Sequence, residues 1–364
     1  MIEIDGNIAE GGGQIVRTAL GLSCVTLKPV RIKNIRKTRK EPGLKAQHVA
    51  CAKACAQMSN AFISGAELGS TEIEFVPRVS KNRQLNISIG TAGSITLLLQ
   101  GLLPPLLFTE SEIHITGGTD VQWSMPIDYM QHVLIPMLSP YCKIEVICDR
   151  RGYYPKGDGK VIIKTKPRFK RPDFDSFEDF QQYIFGNPAL ALHRQGELIR
   201  INGVSHASAQ LQAQEVSERQ AQAAELMLRN EGPVSIHRSY AQTESIGSGI
   251  TIYALFQIQN AHGETQYRMG ADVLGERGVK SEEIARRAAE KLRKNIHSGF
   301  VVEEILQDNI IPYLGLFGGS ILTGTITEHT RANIAVCEAF LGVEYSITAH
   351  NDASLISVLN SSKP

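Results

Sequence analysis

Residues 14–61 read QIVRTALGLSCVTLKPVRIKNIRKTRKEPGLKAQHVACAKACAQMSNA, and the change of periodicity within them decides the fold class. Gln14 to Ser23 sets Ile15, Ala19 and Leu22 at helical spacing, Val30 to Ile35 alternates as a strand does, and Gly43 to Ala61 returns to a helical pattern with small residues along it. Such an order belongs to an α/β or α+β unit, and the small side chains let a helix lie close on a sheet. Working outward, Ile113 to Gly117 reads as a strand before a helix from Pro126 to Leu138, and Lys143 to Cys148 and Val161 to Lys164 read as further strands. No strict repeat is present, but strand-helix units returning at this size are consistent with stacked copies of one small fold.

The basic, proline-containing stretch Lys164 to Asp173 reads as a turn or linker. From Gly196 to Met269 the chain is more polar, with a Gln/Ala/Glu-rich helix over Ala209 to Arg229 and strands at Val234 to His237 and Gly249 to Gln257. This predicts an inserted second domain. A helix with Ile284, Ala288 and Leu292 on one face follows Lys280, and the tail from Ile310 reads as Gly-rich turns, strands and one short helix. The expected division is a large domain over 1–195 and 278–364, interrupted by an insert over 196–277.

With 364 residues, 42% hydrophobic and 21% charged, the chain is long enough for two or three domains with ample core, which excludes a disulfide-stapled miniprotein and a disordered chain. Lys plus Arg number 38 against 37 Asp plus Glu, so any nucleic-acid contact must be a local patch. The six cysteines are scattered, with no C-x-x-C pair, and read as reduced and mostly buried. The acidic start Met1-Ile2-Glu3-Ile4-Asp5 does not resemble a signal peptide, and the apolar run Ile95 to Phe108 is too short and too broken to span a bilayer. A cytoplasmic protein, or a nuclear one in a eukaryote, is expected, with no membrane partner.

Four stretches carry possible chemistry. Glu10-Gly11-Gly12-Gly13-Gln14 lies between a short strand and a helix, where glycines let a backbone approach a phosphate; a plain tight turn is the other reading. Arg31 to Lys45 holds seven basic residues against one acid, Glu41, either a solvated face or an anion site in which Arg36 and Arg39 converge. Lys156-Gly157-Asp158-Gly159 matches the K-x-D-G pattern of lysine nucleotidyltransferases but also suits a hairpin. His329 precedes a helix bearing Ile334, Cys337 and Leu341; a helix N-terminus disfavours imidazolium and welcomes phosphate, although a surface histidine is commoner at such a place.

Taken together, these stretches resemble the RNA 3′-terminal phosphate cyclase family. The matching segments are Asp5-Gly6 with Glu10 to Gln14 and Arg17; Ile35-Arg36 with Arg39, Pro42-Gly43-Leu44 and Gln47-His48; and Ile89 to Ser94 through Gln100. They continue with Gly117 to Asp120, Tyr154 to Gly159, Asp308, and His329 with Asn333. The resemblance implies repeated strand-helix units, distantly similar to the enolpyruvyl transferase fold, with a smaller α/β insert. It implies ATP as co-substrate, Mg²⁺ or Mn²⁺, and an RNA bearing a 3′-terminal phosphate, converted to a 2′,3′-cyclic phosphate through a histidine-AMP and an RNA-adenylate with release of pyrophosphate and AMP.

By the same resemblance His329 is the nucleophile. Glu10 is the carboxylate near metal and triphosphate, Arg17, Arg36 and Arg39 bind RNA phosphate, and Gln47, Gln100, Ile305, Asp308 and Asn309 border the nucleotide. The chain departs from the family at Gly157-Asp158-Gly159, usually a glycine triplet, at Asn309, commonly Gln, and at Ile305, often aromatic. The Phe174 to Leu192 region is longer than usual. Non-catalytic relatives that serve in ribosome assembly share the fold and are the alternative, but they lack the histidine.

Overall fold

The computed structural model describes residues 1–9, 11–80, 83–260, 263–350 and 352–360. The first unit runs β1 (Ile2–Asp5), α1 (Gly13–Thr26), β2 (Val30–Lys33), α2 (Ala46–Ser59), β3 (Phe62–Ser64) and β4 (Ile73–Val76). Its strands lie in the order β1-β2-β4-β3, the first pair parallel and the other two antiparallel. The second unit repeats this plan with β5 (Gln84–Ser88), α3 (Ile95–Leu106), β6 (Ser111–Gly117), the short helices α4 (Ile127–Tyr129) and α5 (Ile135–Leu138), β7 (Cys142–Arg150) and β8 (Gly159–Pro167), in the order β5-β6-β8-β7.

After α6 (Phe177–Ile184), β9 (Leu190–Leu192) begins a third unit that is interrupted at once. The interruption is β10 (Glu197–Ser208), α7 (Val216–Leu228), β11 (Val234–Ala241), β12 (Ser248–Asn260), β13 (Gly263–Leu274) and α8 (Ser281–Ile296), its strands ordered β11-β10-β12-β13. The third unit then resumes as α9 (Glu304–Phe317), β14 (Gly319–Thr323), α10 (Glu328–Leu341), β15 (Val343–His350) and β16 (Ala353–Asn360). Taken from its first strand, its order is β9-β14-β16-β15, with the same parallel and antiparallel pairs as the other two. The fold is therefore α/β, built from one β-α-β-α-β-β plan used three times, with a differently ordered sheet inserted into the third copy.

The core follows from the sequence periods. Helix α1 is buried along its whole length after Gly13, and it packs on α3 and α10, so its Ile15, Ala19, Leu20 and Leu22 are fully enclosed. A Leu-to-Ala change at such a site costs about 2–5 kcal/mol. All six cysteines are free, Cys148 alone being half-buried. Among the described residues no helix is long and apolar enough to cross a membrane.

Three sequence expectations need correction. Lys164 to Pro167 is strand, because the alternation of Val161, Ile163, Thr165 and Pro167 inward with lysines outward continues through it. The helix expected over Ala209 to Arg229 is a 3₁₀ turn and α7, separated at Glu215 by a left-handed φ of 51°. The chain from Ile310 stays helical to Phe317 across Pro312. A proline removes the N–H that would bond the carbonyl four residues back. Here that carbonyl, of Asp308, accepts instead from Asn333 Nδ2 at 2.7 Å and Gln14 Nε2 at 3.2 Å, so nothing is left unpaired. Pro136 repeats the device: the carbonyl of His132 accepts from Arg268 Nη1 of β13 at 2.7 Å.

Helix α8 packs on α7, β12 and β13. From these contacts we propose that the inserted unit ends near Ile296 and not at 277. It is tied to the second unit by a buried cluster in which Arg151 meets Asp120 at 3.2 Å and Asp128 at 2.8 Å, with His206 of β10 against both carboxylates and bonded to Tyr153 at 2.7 Å. Its two carboxylates and histidine lie close enough to hold a metal, but the guanidinium already fills the space between the acids.

Candidate active site

The threefold plan brings the N-terminal parts of five helices to one cavity of about 850 Å³. Gly12, Gly13, Gln14 and Arg17 come from the start of α1, Lys45, Gln47 and His48 from α2, and Leu97 and Gln100 from α3. Glu304, Ile305, Asp308 and Asn309 come from α9, and His329 from α10. Arg36 and Arg39 reach it from the β2–α2 loop, Trp123, Ser124 and Met125 from the β6–α4 loop, and Asp272 from β13 of the insert. Each helix start presents N–H groups and the positive end of its dipole, so their convergence favours an anion of several charges.

Of the candidates that the sequence singles out, His329, Arg17, Arg36, Arg39, Gln47, Gln100, Ile305, Asp308 and Asn309 all line this one cavity. Glu10 lies outside the described residues. Lys156 does not line the cavity; its ammonium stands exposed, 3.4 Å from Glu244. Trp123 and Asp272 are additions that the sequence motifs do not include. A lone tryptophan in a polar turn is a usable signal for the first, whereas nothing local to Asp272 points at the cavity.

His329 is the second residue of α10. Thr327 caps the helix by accepting from the Thr330 N–H at 2.9 Å, a bond of about 1 kcal/mol. The Thr327 hydroxyl donates to Asp308 Oδ1, as does Thr330 at 2.9 Å, so the first turn of α10 is fastened to α9. Burial raises the Asp308 carboxyl, against the opposing pull of those two hydroxyls and of His329. The glycine turn abuts the imidazole: a Cβ on Gly12 would stand 3.4 Å from His329 Cε1. Gly13 is compulsory, since its Cβ would lie 2.0 Å from His48 Nε2.

His48 itself is buried, its Nδ1 accepting from the Lys45 N–H at 3.0 Å, which leaves the proton on Nε2. Burial first, then Arg17, Arg36 and Lys45, pushes it down to about 3, so the ring is neutral.

Arg17 is the centre of the basic wall. It is buried, and burial lowers it to about 10; no carboxylate among the described residues pairs with it. Its Nε donates to Gln100 Oε1 at 2.9 Å, Gln100 Nε2 to Asn309 Oδ1 at 2.7 Å, and Asn309 Nδ2 to the Ile305 carbonyl at 2.7 Å. This chain of bonds joins α1, α3 and α9, the equivalent first helices of the three units, and leaves the guanidinium end of Arg17 for a ligand. Arg36, at a left-handed φ of 54°, is anchored by its Nη1 on the carbonyls of Glu41 and Gly43 at 2.9 and 3.0 Å. Burial and the nearby Arg39 both lower it. A wall of desolvated, mutually repelling cations is a site for phosphate oxygens.

The cavity is also lined by acids, Asp272, Glu304 and Asp308. Asp272 Oδ1 is buried without a hydrogen-bond partner, and burial raises the carboxyl to about 6. An orphaned carboxylate oxygen beside a polyphosphate-sized cavity fits the donor chemistry of a hard divalent cation.

Comparison with known proteins identifies the family. The family model described as RNA 3'-terminal phosphate cyclase matches residues 8–347. The chain is 41% identical to the RNA 3'-terminal phosphate cyclase of Staphylothermus marinus, over 94% of this chain and 92% of the relative. It is 40% identical to that of Pyrococcus furiosus over 95% of each, and 38% identical to that of Thermococcus onnurineus over 95% of each. On the strength of that full-length match, the chain belongs to the RNA 3'-terminal phosphate cyclase family.

Proposed function

We propose that this protein converts an RNA 3′-terminal phosphate to a 2′,3′-cyclic phosphate at the expense of ATP, with His329 as the covalent nucleophile. The observation that carries the reading is the pairing, in one cavity, of an imidazole at a helix N-terminus with a buried arginine that has no acidic partner among the described residues. A nucleophile without an anion site, or the reverse, would not suggest it.

In the first step an imidazole nitrogen of His329 attacks the α-phosphorus of ATP, the bond to the bridging oxygen breaks, and pyrophosphate leaves. The N-terminal dipole of α10 stabilises charge growing on the α-phosphate oxygens. In the second step an oxygen of the RNA 3′-phosphate attacks the same phosphorus, the P–N bond breaks, and the histidine is restored. In the third the ribose 2′-OH attacks the 3′-phosphorus, loses its proton, and displaces AMP. Covalent catalysis divides one difficult displacement into easier ones.

Arg17, Arg36 and Arg39 hold the RNA phosphate in this reading, and Gln47, Gln100, Ile305, Asp308 and Asn309 border the nucleotide. Asp272 would hold a Mg²⁺ or Mn²⁺ ion, which when bound neutralises the polyphosphate, and the family resemblance gives Glu10 the same task. The Thr327 and Thr330 hydroxyls keep His329 facing Gly12 through Asp308.

Incubation with α-labelled ATP, followed by denaturation, tests the proposal. Label retained by wild type and absent from His329→Ala is the expected result; label retained by both would remove His329 from its role.

A further inference from the structure

The β2–α2 loop of the first unit and the β6–α4 loop of the second occupy equivalent places, between the second strand and the second helix of the shared plan, and both face the cavity. The first supplies Arg36 and Arg39. The second supplies Trp123, the only tryptophan in the chain, which is 94% exposed. Its φ is +65°, a region that bulky L residues rarely adopt and that persists only where the surroundings impose it. They do so here: Ser124 Oγ donates to the Val121 carbonyl at 2.9 Å and Thr96 Oγ1 to the Met125 carbonyl at 2.7 Å, fixing the turn on either side of the ring. A large apolar ring held out into water by a strained, braced backbone contributes nothing to the core.

We propose that Trp123 is the platform on which the 3′-terminal nucleobase of the RNA stacks. The inference rests on the RNA 3′-phosphate reading above. A phosphate on the arginine wall places its own nucleoside one ribose away, toward the mouth of the cavity, where an exposed ring meets only a ligand that extends outward. ATP, by contrast, has its place among the half-buried side chains of α3 and α9. Every base has a π face, so such a platform is tolerant of sequence and its loss costs about 5- to 100-fold in affinity.

Because Trp123 is the sole tryptophan, its fluorescence reports on this contact alone. The wild-type protein is titrated with a short RNA ending in a 3′-phosphate, with the same RNA whose last nucleotide is abasic, and with a non-hydrolysable ATP analogue; anisotropy of a 5′ label follows binding independently. The intact RNA is expected to quench the tryptophan, and the abasic RNA to bind about tenfold more weakly without quenching. Trp123→Ala should lose about tenfold toward the intact RNA only, and Trp123→Phe should recover most of that.

Equal quenching by the abasic RNA, binding of intact RNA without quenching, or quenching by the ATP analogue alone would overturn the assignment, the last giving the ring to adenine instead. Retained α-label in wild type separates the two readings. A protein that takes the label but shows no RNA-dependent quenching loses the platform and keeps the proposed activity. One that takes no label and binds no RNA loses both.

Discussion

The first and third units have the same strand order, the same parallel pair and the same two helices, yet they bring opposite chemistry to the cavity. At the second position of its second helix the first unit carries Gln47, with Arg36 and Arg39 in the preceding loop; the third carries His329. The shared plan decides that a helix N-terminus arrives there, with its N–H groups and dipole. In the proposed mechanism the residue on that turn decides whether an anion is held or attacked. Asymmetry of side chains on a symmetric scaffold is thus the basis of the site.

The largest test of that asymmetry is removal of the proposed nucleophile. His329→Ala should leave no protein-bound label from α-labelled ATP, while Lys156→Ala, whose ammonium stands outside the cavity, should keep its adduct. If Gln47→His in a His329→Ala background restored label, position on the plan would matter more than the surroundings of α10, and the comparison would fail.

Arg17 sharpens it from the basic side chains of the cavity. Losing a charge-assisted phosphate contact is worth about 2–5 kcal/mol, so Arg17→Met should lower kcat/KM for RNA 3′-phosphate by about 30-fold or more. The same change removes a buried cation that no described carboxylate pairs. The ligand-free protein should therefore unfold at a higher temperature than wild type, as expected where a site is built at the expense of stability. Loss of activity together with loss of stability would make Arg17 an ordinary structural residue. Arg17→Lys should not rescue, since only a guanidinium can bond Gln100 through Nε and a ligand through its far end.

His48 gives a pH test of the same basic side chains. Its folded value of about 3 lies below the ordinary 6.5, so the unfolded chain takes up the proton first as the solution is acidified. The stability it contributes is complete above pH 6.5 and is lost as pH falls toward 3. Between pH 7 and pH 4 that loss amounts to ~3 kcal/mol from this residue alone. Urea unfolding at the two pH values should show it, and His48→Asn, which can still accept from the Lys45 N–H, should flatten the difference by about that amount. An unchanged pH difference in the variant would mean that burial and the surrounding cations do not hold the ring neutral.

Much of this architecture is legible in the amino-acid sequence. Periodicity marks most of the strands and helices of the units, because a strand buried on one face and a helix buried on one side leave different spacings of apolar residues. The identical strand order of the three units is not legible. Their similarity lies in connectivity and not in side chains, and the third unit is cut after a strand of three residues, Leu190–Leu192. The family motifs single out residues that the fold gathers at one cavity, but they pass over Trp123, whose only signal is its being a lone tryptophan in a polar turn, and Asp272, which has no local pattern to announce it. Asp272 joins the cavity only because β13 of the insert lies beside it. Pro312 hides the continuation of α9 for a physical reason: sequence shows the missing N–H but not the distant side chains that replace it.

That replacement is the source of the smallest expected effect. Pro312→Ala restores an N–H aimed at the Asp308 carbonyl, but both lone pairs of that oxygen already accept, from Gln14 and Asn333. The new donor must displace one of them or go unpaired, and the unfolded chain gains freedom, so a net loss of about 1 kcal/mol or less is expected. Asn333→Ala removes a donor that also accepts from Thr18 at 2.8 Å. It should cost more, about 1–3 kcal/mol, because the buried Thr18 hydroxyl is orphaned and the Asp308 carbonyl keeps only its longer bond, from Gln14. Reversal of that order in urea unfolding would mean that the proline, and not the side chains crossing from α1 and α10, sets the geometry of the helix that carries Asp308.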